Sequence, residues 1–136
     1  MDILDRIDKL HFWIGTTSKT RQEFLKYFEL DYSTEGDFDT PDYKVCGFCK
    51  DIGQKSYDED FLVYEPFYEK EIYLIDILKE SDIDESDILE VRDQCEKLGI
   101  TKANAIFSYT DAELIIPKPY KESYNDLKYI GLFKLA

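Results

Sequence analysis

The chain has 136 residues, with 17 Lys or Arg against 30 Asp or Glu, for a formal net charge of −13. That length suits one domain with its own core, and a composition 43% hydrophobic and 15% aromatic excludes a disordered chain. Such a surplus of carboxylates repels phosphate backbones and anionic lipid surfaces, so nucleic acid and membrane are excluded as direct partners, while a basic protein is attracted over distance.

The opening MDILDRIDKL carries acids where a secretion signal would carry its positive end, and no later stretch reaches the roughly 18 apolar residues of a membrane span. The expectation is a cytoplasmic protein. Three cysteines, an odd number, fit a reducing compartment with free thiols.

Residues 9–15, KLHFWIG, read as a first strand ending at Gly15. A helix follows, capped by Ser18 or Thr20, with Thr20 and Glu23 in capping-box spacing and Phe24, Leu25 and Phe28 as its apolar stripe. DYSTEGDFDTPD, residues 31–42, has the Gly, Pro and Asp chemistry of a loop. Val45, Phe48, Cys49 and Ile52 then fall on one side of a short helix over residues 43–52, which Gly53 ends. FLVYEPF reads as a strand closed or edged by Pro66, and EKEIYLIDILKE, open between strand and helix, is read as helix for its length and charged flanks. Asp82 or Asp84 caps a helix with Ile88, Val91, Cys95 and Leu98 inward and Gly99 as its stop. NAIFSY and LKYIGLFKL, separated by the turn-rich PKPYKESYND, supply the last two strands. The expectation is a single α+β domain over residues 1–136, with a mixed sheet of about four strands and three to four helices.

Several chemistries fit poorly. Cys46 and Cys49 have the spacing of a redox dithiol, but the pair follows a loop and falls inside the short helix, where Cys49 faces the core as a small apolar residue. Zinc would need two more ligands, and Cys95 and His11 are not paired with each other in spacing. In WIGTTSKT, Lys19 and Thr20 end a stretch like a phosphate loop, yet Trp13 and Ser18 stand where glycines are needed, which leaves helix capping. Asp82, Asp84 and Asp87 have partial calcium-loop spacing without the turn glycine, and suit a helix start. His11, between Leu10 and Phe12, reads as a structural histidine. No catalytic residue, metal ligand or cofactor site is expected.

The remaining feature is SYDEDFLVYE, where Tyr57, Asp58, Glu59 and Asp60 run into an apolar strand bearing Tyr64 and Glu65. Tyrosines contribute area and a hydrogen bond while carboxylates select a basic partner, so this stretch is a candidate protein-binding edge.

FWIG before a capped helix carrying Tyr27-Phe28, then YDEDF, then YIGLF resemble, in that order, the immunity protein 22 family of bacterial polymorphic toxin systems. The resemblance spans about residue 10 to residue 134 and matches at Trp13, Gly15, Tyr57, Asp58, Glu59, Asp60, Gly131 and Phe133. It implies an α+β domain that binds and neutralises a cognate toxin domain and has no catalytic residues of its own. Trp13, Gly15, Gly131 and Phe133 lie in strands and hold the sheet, which leaves Tyr57, Asp58, Glu59, Asp60, Tyr64 and Glu65 as the candidate toxin contact. Charge alone points to a nuclease as the toxin. Residues 31–42 and 82–93 offer alternative acidic patches. The competing functions are a thiol oxidoreductase using Cys46 and Cys49, and a housekeeping interaction module with no toxin partner.

Overall fold

A computed structural model describes residues 6–136. Strand β1 (Lys9–Gly15) is buried from Leu10 onward, because it runs through the middle of the sheet with apolar side chains needed on both faces. It pairs with β4 (Lys102–Tyr109) on one side, Trp13 opposite Phe107, and with β5 (Lys128–Lys134) on the other, Leu10 opposite Phe133. The far edge of β4 is shared by two strands, β2 (Leu62–Val63) and β3 (Phe67–Tyr73). The two are separated at Pro66, which has no N–H to give, although its carbonyl still accepts from Ile106 at 3.2 Å. The five strands pair antiparallel throughout.

Helices cover both faces. On one, Leu10, Phe12, Ile14 and Ile106 pack with Ile77, Leu78, Val91 and Cys95 of α3 (Leu74–Leu78) and α4 (Ile88–Lys97). On the other, Trp13, Phe107 and Leu127 pack with Phe24 of α1 (Arg21–Lys26) and with Phe48, Cys49 and Ile52 of α2 (Gly47–Ile52). The second core is aromatic. Trp13 stacks on Phe107 at 4.6 Å and meets Phe48 edge-on at 5.8 Å, and Phe28 meets Phe107 edge-on at 4.9 Å. Full burial of each such ring contributes roughly 1.5–3 kcal/mol, so the two faces together give this acidic chain a substantial core.

The α+β class matches the expectation, with one strand more than the approximate count and no parallel pairing where a mixed sheet is expected. Thr20 caps α1, its hydroxyl accepting from the Glu23 N–H at 3.2 Å while Glu23 accepts from the Thr20 N–H at 3.0 Å. EKEIYLIDILKE divides: Ile72 and Tyr73 pair with Ala103 and Lys102 as the end of β3, and the helix holds only Leu74–Leu78. Cys46 lies outside α2 as its cap, and Val45 precedes it, whereas helix membership is expected for both. Asp84 caps a single 3-10 turn (Glu85–Asp87) that leads into α4, and Leu98 is half exposed at the helix end, not inward, because Gly99 with φ of +82° turns the chain away. In β5 the register against β1 slips between Phe12 and Trp13, leaving Ile130 as an extra residue. Gly131 beside it has φ of +149°, and a Cβ there would meet the Phe133 ring at 3.3 Å.

Candidate functional site

The acidic stretch forms a turn that leads to the β2 edge of the sheet. Asp58 caps a 3-10 turn (Glu59–Phe61), its carboxylate accepting from the Asp60 N–H at 3.0 Å, and its own N–H donates to the Tyr109 hydroxyl at 3.0 Å. The Thr110 N–H donates to the Phe61 carbonyl, closing the turn onto the end of β4. Tyr57 is half-buried, edge-on to Phe48 at 5.1 Å, and donates its hydroxyl hydrogen to the Phe28 carbonyl. Burial pushes its phenol up, so it remains a neutral donor. Tyr64 stacks on Phe28 at 5.9 Å, and the exposed Glu65 pairs with Arg21 at 3.0 Å.

The six residues named from the sequence therefore lie along one side of the molecule but do different things. Tyr57 and Asp58 are engaged in holding the turn. Glu65 is partly neutralised by Arg21. Glu59 and Asp60 are exposed, and among the described residues no hydrogen bond or ion pair engages their carboxylates. Two open depressions adjoin Glu59 and share it with Tyr57 and Tyr64. One continues over α1 past Gln22, Lys26 and Glu29; the other continues along Leu62 and Val63. The α1 side of this surface is absent from the sequence reading, since Leu25 and Phe28 there register only as a core stripe. The one available signal is the run of polar residues Gln22, Lys26 and Glu29 at helical spacing on the outer face.

The alternative acidic patches are partly committed to backbone, and among the described residues each also keeps two exposed carboxylates with no hydrogen bond or ion pair, Glu35 and Asp42 in one and Asp82 and Glu85 in the other. In residues 31–42, Asp31 accepts from the N–H groups of Ser33 and Lys44 at 2.9 Å each, Asp37 accepts from the Asp39 N–H, and Asp39 pairs with Lys55. In residues 82–93, Asp84 accepts from the Ser86 N–H and Asp87 from the Lys134 N–H.

A family model described as Immunity protein 22 matches residues 10–135. The chain belongs to the Immunity protein 22 family. No curated protein and no solved structure matches it. Membership gives it the general role of an immunity protein, which neutralises a protein toxin. The motif residues that resemble this family divide physically: Trp13 and Phe133 are buried on opposite faces of the sheet, and a Cβ on Gly15 would meet the Leu127 backbone at 3.2 Å.

His11, Asp111 and Lys19 in this immunity protein are engaged internally. His11 is buried with Nε2 3.1 Å from the Asp111 carbonyl and Nδ1 2.7 Å from the Tyr129 hydroxyl. A carbonyl can only accept, so Nε2 carries the hydrogen and Nδ1 accepts from Tyr129. Burial lowers the His11 pKa, and the neutral ring is satisfied at both nitrogens. Burial would raise the Asp111 carboxyl, but two hydrogen bonds from Arg6 at 2.9 and 3.0 Å and one from the Glu113 N–H outweigh it and hold it low. Lys19, the residue of the phosphate-loop reading, donates to Asn125 at 2.7 Å. Among the described residues, no group of three or more His, Cys, Asp or Glu is placed to hold a metal ion, and no helix is long and apolar enough to cross a membrane.

Proposed function

We propose that this immunity protein neutralises a cognate toxin by binding, in the cytoplasm, through the surface formed by Tyr57, Asp58, Glu59, Asp60, Tyr64 and Glu65 together with the outer face of α1. The observation that carries the reading is the state of Glu59 and Asp60: two exposed carboxylates with no internal partner, set between half-buried tyrosines on a rigid aromatic base. Holding a charge ready for a partner costs little when the backbone beneath it is fixed, and tyrosines beside it lose little conformational freedom on docking. A net charge of −13 favours a toxin domain with a basic working face, and a nuclease has such a face because it must hold phosphates. In this reading the inhibitor occludes that face and does no chemistry of its own.

The test is charge reversal. Glu59→Lys with Asp60→Lys should reduce affinity for the cognate toxin domain by about tenfold or more, mostly through slower association that depends less on salt. Protection of cells expressing the toxin should fall in parallel. Unaltered affinity and salt dependence in the doubly reversed protein would remove this surface from the interface.

A further inference from the structure

The two sulfurs of Cys46 and Cys49 form a unit that lies outside the contact proposed above. Cys46 stands at the cap of α2, where its sulfur accepts the Cys49 N–H at 3.2 Å, and the two sulfurs are 2.8 Å apart, inside van der Waals contact. Cys95, the third cysteine, packs in the core on the opposite face of the sheet, where burial pushes its thiol up to about 12. Chemistry between sulfurs in the folded chain is therefore confined to one pair. The pair is also asymmetric: Cys46 retains 7% exposure and Cys49 has none.

We infer that Cys46 and Cys49 are a dithiol–disulfide couple oxidised by a small peroxide, with Cys46 as the attacking sulfur and Cys49 as the resolving one. The Cys46 thiolate attacks one peroxide oxygen; an S–O bond forms, the O–O bond breaks, and the departing hydroxide takes up the former thiol proton as water. The Cys49 sulfur then displaces the hydroxyl from Cys46, so an S–S bond forms and a second water leaves with the Cys49 proton. Two electrons pass from the two thiols to the peroxide. The roles follow from position. Cys46 is the residue of the pair that keeps some contact with solvent, and hydrogen bonds from the Cys49 thiol and nearby backbone N–H groups lower its pKa, whereas contact with Cys46 and burial raise that of Cys49. So slight an exposure suits an oxidant little larger than water, such as a small peroxide, over a bulky disulfide.

Oxidation replaces the sulfur-to-N–H cap with a covalent link across the first turn of α2. Phe48 lies in that turn with its ring against Tyr57 at 5.1 Å, so the couple bears on the posture of the acidic edge. This consequence rests on the binding surface proposed above; the sulfur chemistry does not.

The experiment treats the full native chain with equimolar hydrogen peroxide, blocks remaining thiols by alkylation after denaturation, and maps peptides by mass spectrometry. The expected result is a peptide linking Cys46 to Cys49 that has lost two hydrogens and is restored by dithiothreitol, with Cys95 alkylated throughout. Cys49→Ser should accumulate a sulfenic acid on Cys46 that a cyclic diketone captures, and Cys46→Ser should consume peroxide about tenfold more slowly or less. A native chain that stays reduced while its urea-unfolded form is oxidised would overturn the inference, as would first oxidation at Cys49 or Cys95. The mapping of the unaltered chain decides even where a variant fails to fold. Equal toxin affinity of the oxidised and reduced forms would overturn only the link to the acidic edge, and absence of toxin affinity in both would overturn the binding reading instead.

Discussion

The backbone N–H of Asp58 donates to the hydroxyl of Tyr109, 3.0 Å away, which fastens the start of the acidic turn to the last residue of a central strand. Tyr109 also meets the rings of Tyr57 and Phe61 edge-on at 6.1 and 6.0 Å. The turn is thus supported from below, and its acids differ in what they contribute to folding. Asp58→Ala removes the cap of the 3-10 turn and should cost about 0.5–1 kcal/mol of unfolding free energy. Glu59→Ala and Asp60→Ala should each stay within about 0.5 kcal/mol of the parent. Urea unfolding curves distinguish these outcomes, and equal losses at all three positions would mean that the turn is held differently.

Thr20 and Glu23 satisfy each other's N–H groups at the start of α1, the helix that brings Gln22 and Lys26 beside the candidate contact. Thr20→Ala should lower stability by about 1 kcal/mol. Thr20→Ser retains the hydroxyl acceptor and should recover most of that difference in the same thermal or urea melt.

Gly47 opens α2 directly against Tyr27, and a Cβ there would stand 2.6 Å from the Tyr27 ring. That ring cannot simply swing aside, because its hydroxyl donates to Asp51 at 2.6 Å. Gly47→Ala should therefore destabilise by about 1–3 kcal/mol through overpacking, despite the better helix propensity of alanine. Combining it with Tyr27→Ala tests the cause: an additive loss in the double variant would show that the clash is elsewhere.

His11 sets a pH dependence of known sign. Burial lowers its folded pKa below the ordinary value of 6.5, so the unfolded chain takes up a proton near that pH while the folded chain does not. The stabilising contribution is fully present above about pH 6.5 and declines as pH falls through that value towards the lowered folded pKa. Denaturation midpoints should fall between about pH 7.5 and pH 5.5, and His11→Gln should flatten the change across that window. The lowered carboxyl of Asp111 acts in a separate range, its contribution being lost only as pH falls below its ordinary value of 3.8. An imidazole resonance titrating at 6.5 or above in the folded chain would contradict the burial argument.

What the sequence determines by itself is local and periodic. KLHFWIG specifies a strand, since four apolar or aromatic side chains, Leu10, Phe12, Trp13 and Ile14, flank its His11. The Thr20 and Glu23 spacing specifies a helix start, Gly53 and Gly99 specify two helix ends, and the order of three short motifs specifies the family. Pairing and accessibility are decided elsewhere. Residues 71–73 become strand because β4 offers Ala103 and Lys102 as partners, a choice their own composition leaves open. Cys46 caps a helix because Gly47, with no side chain, lets that helix start flush against Tyr27. Among consecutive carboxylates at 58 to 60, only the hydrogen bonds of the folded turn separate the one that holds the backbone from the two left facing water. The physical reason is range: capping and periodicity act over a few residues, whereas burial, strand pairing and the freedom of a charge depend on groups that folding brings together from distant parts of the chain.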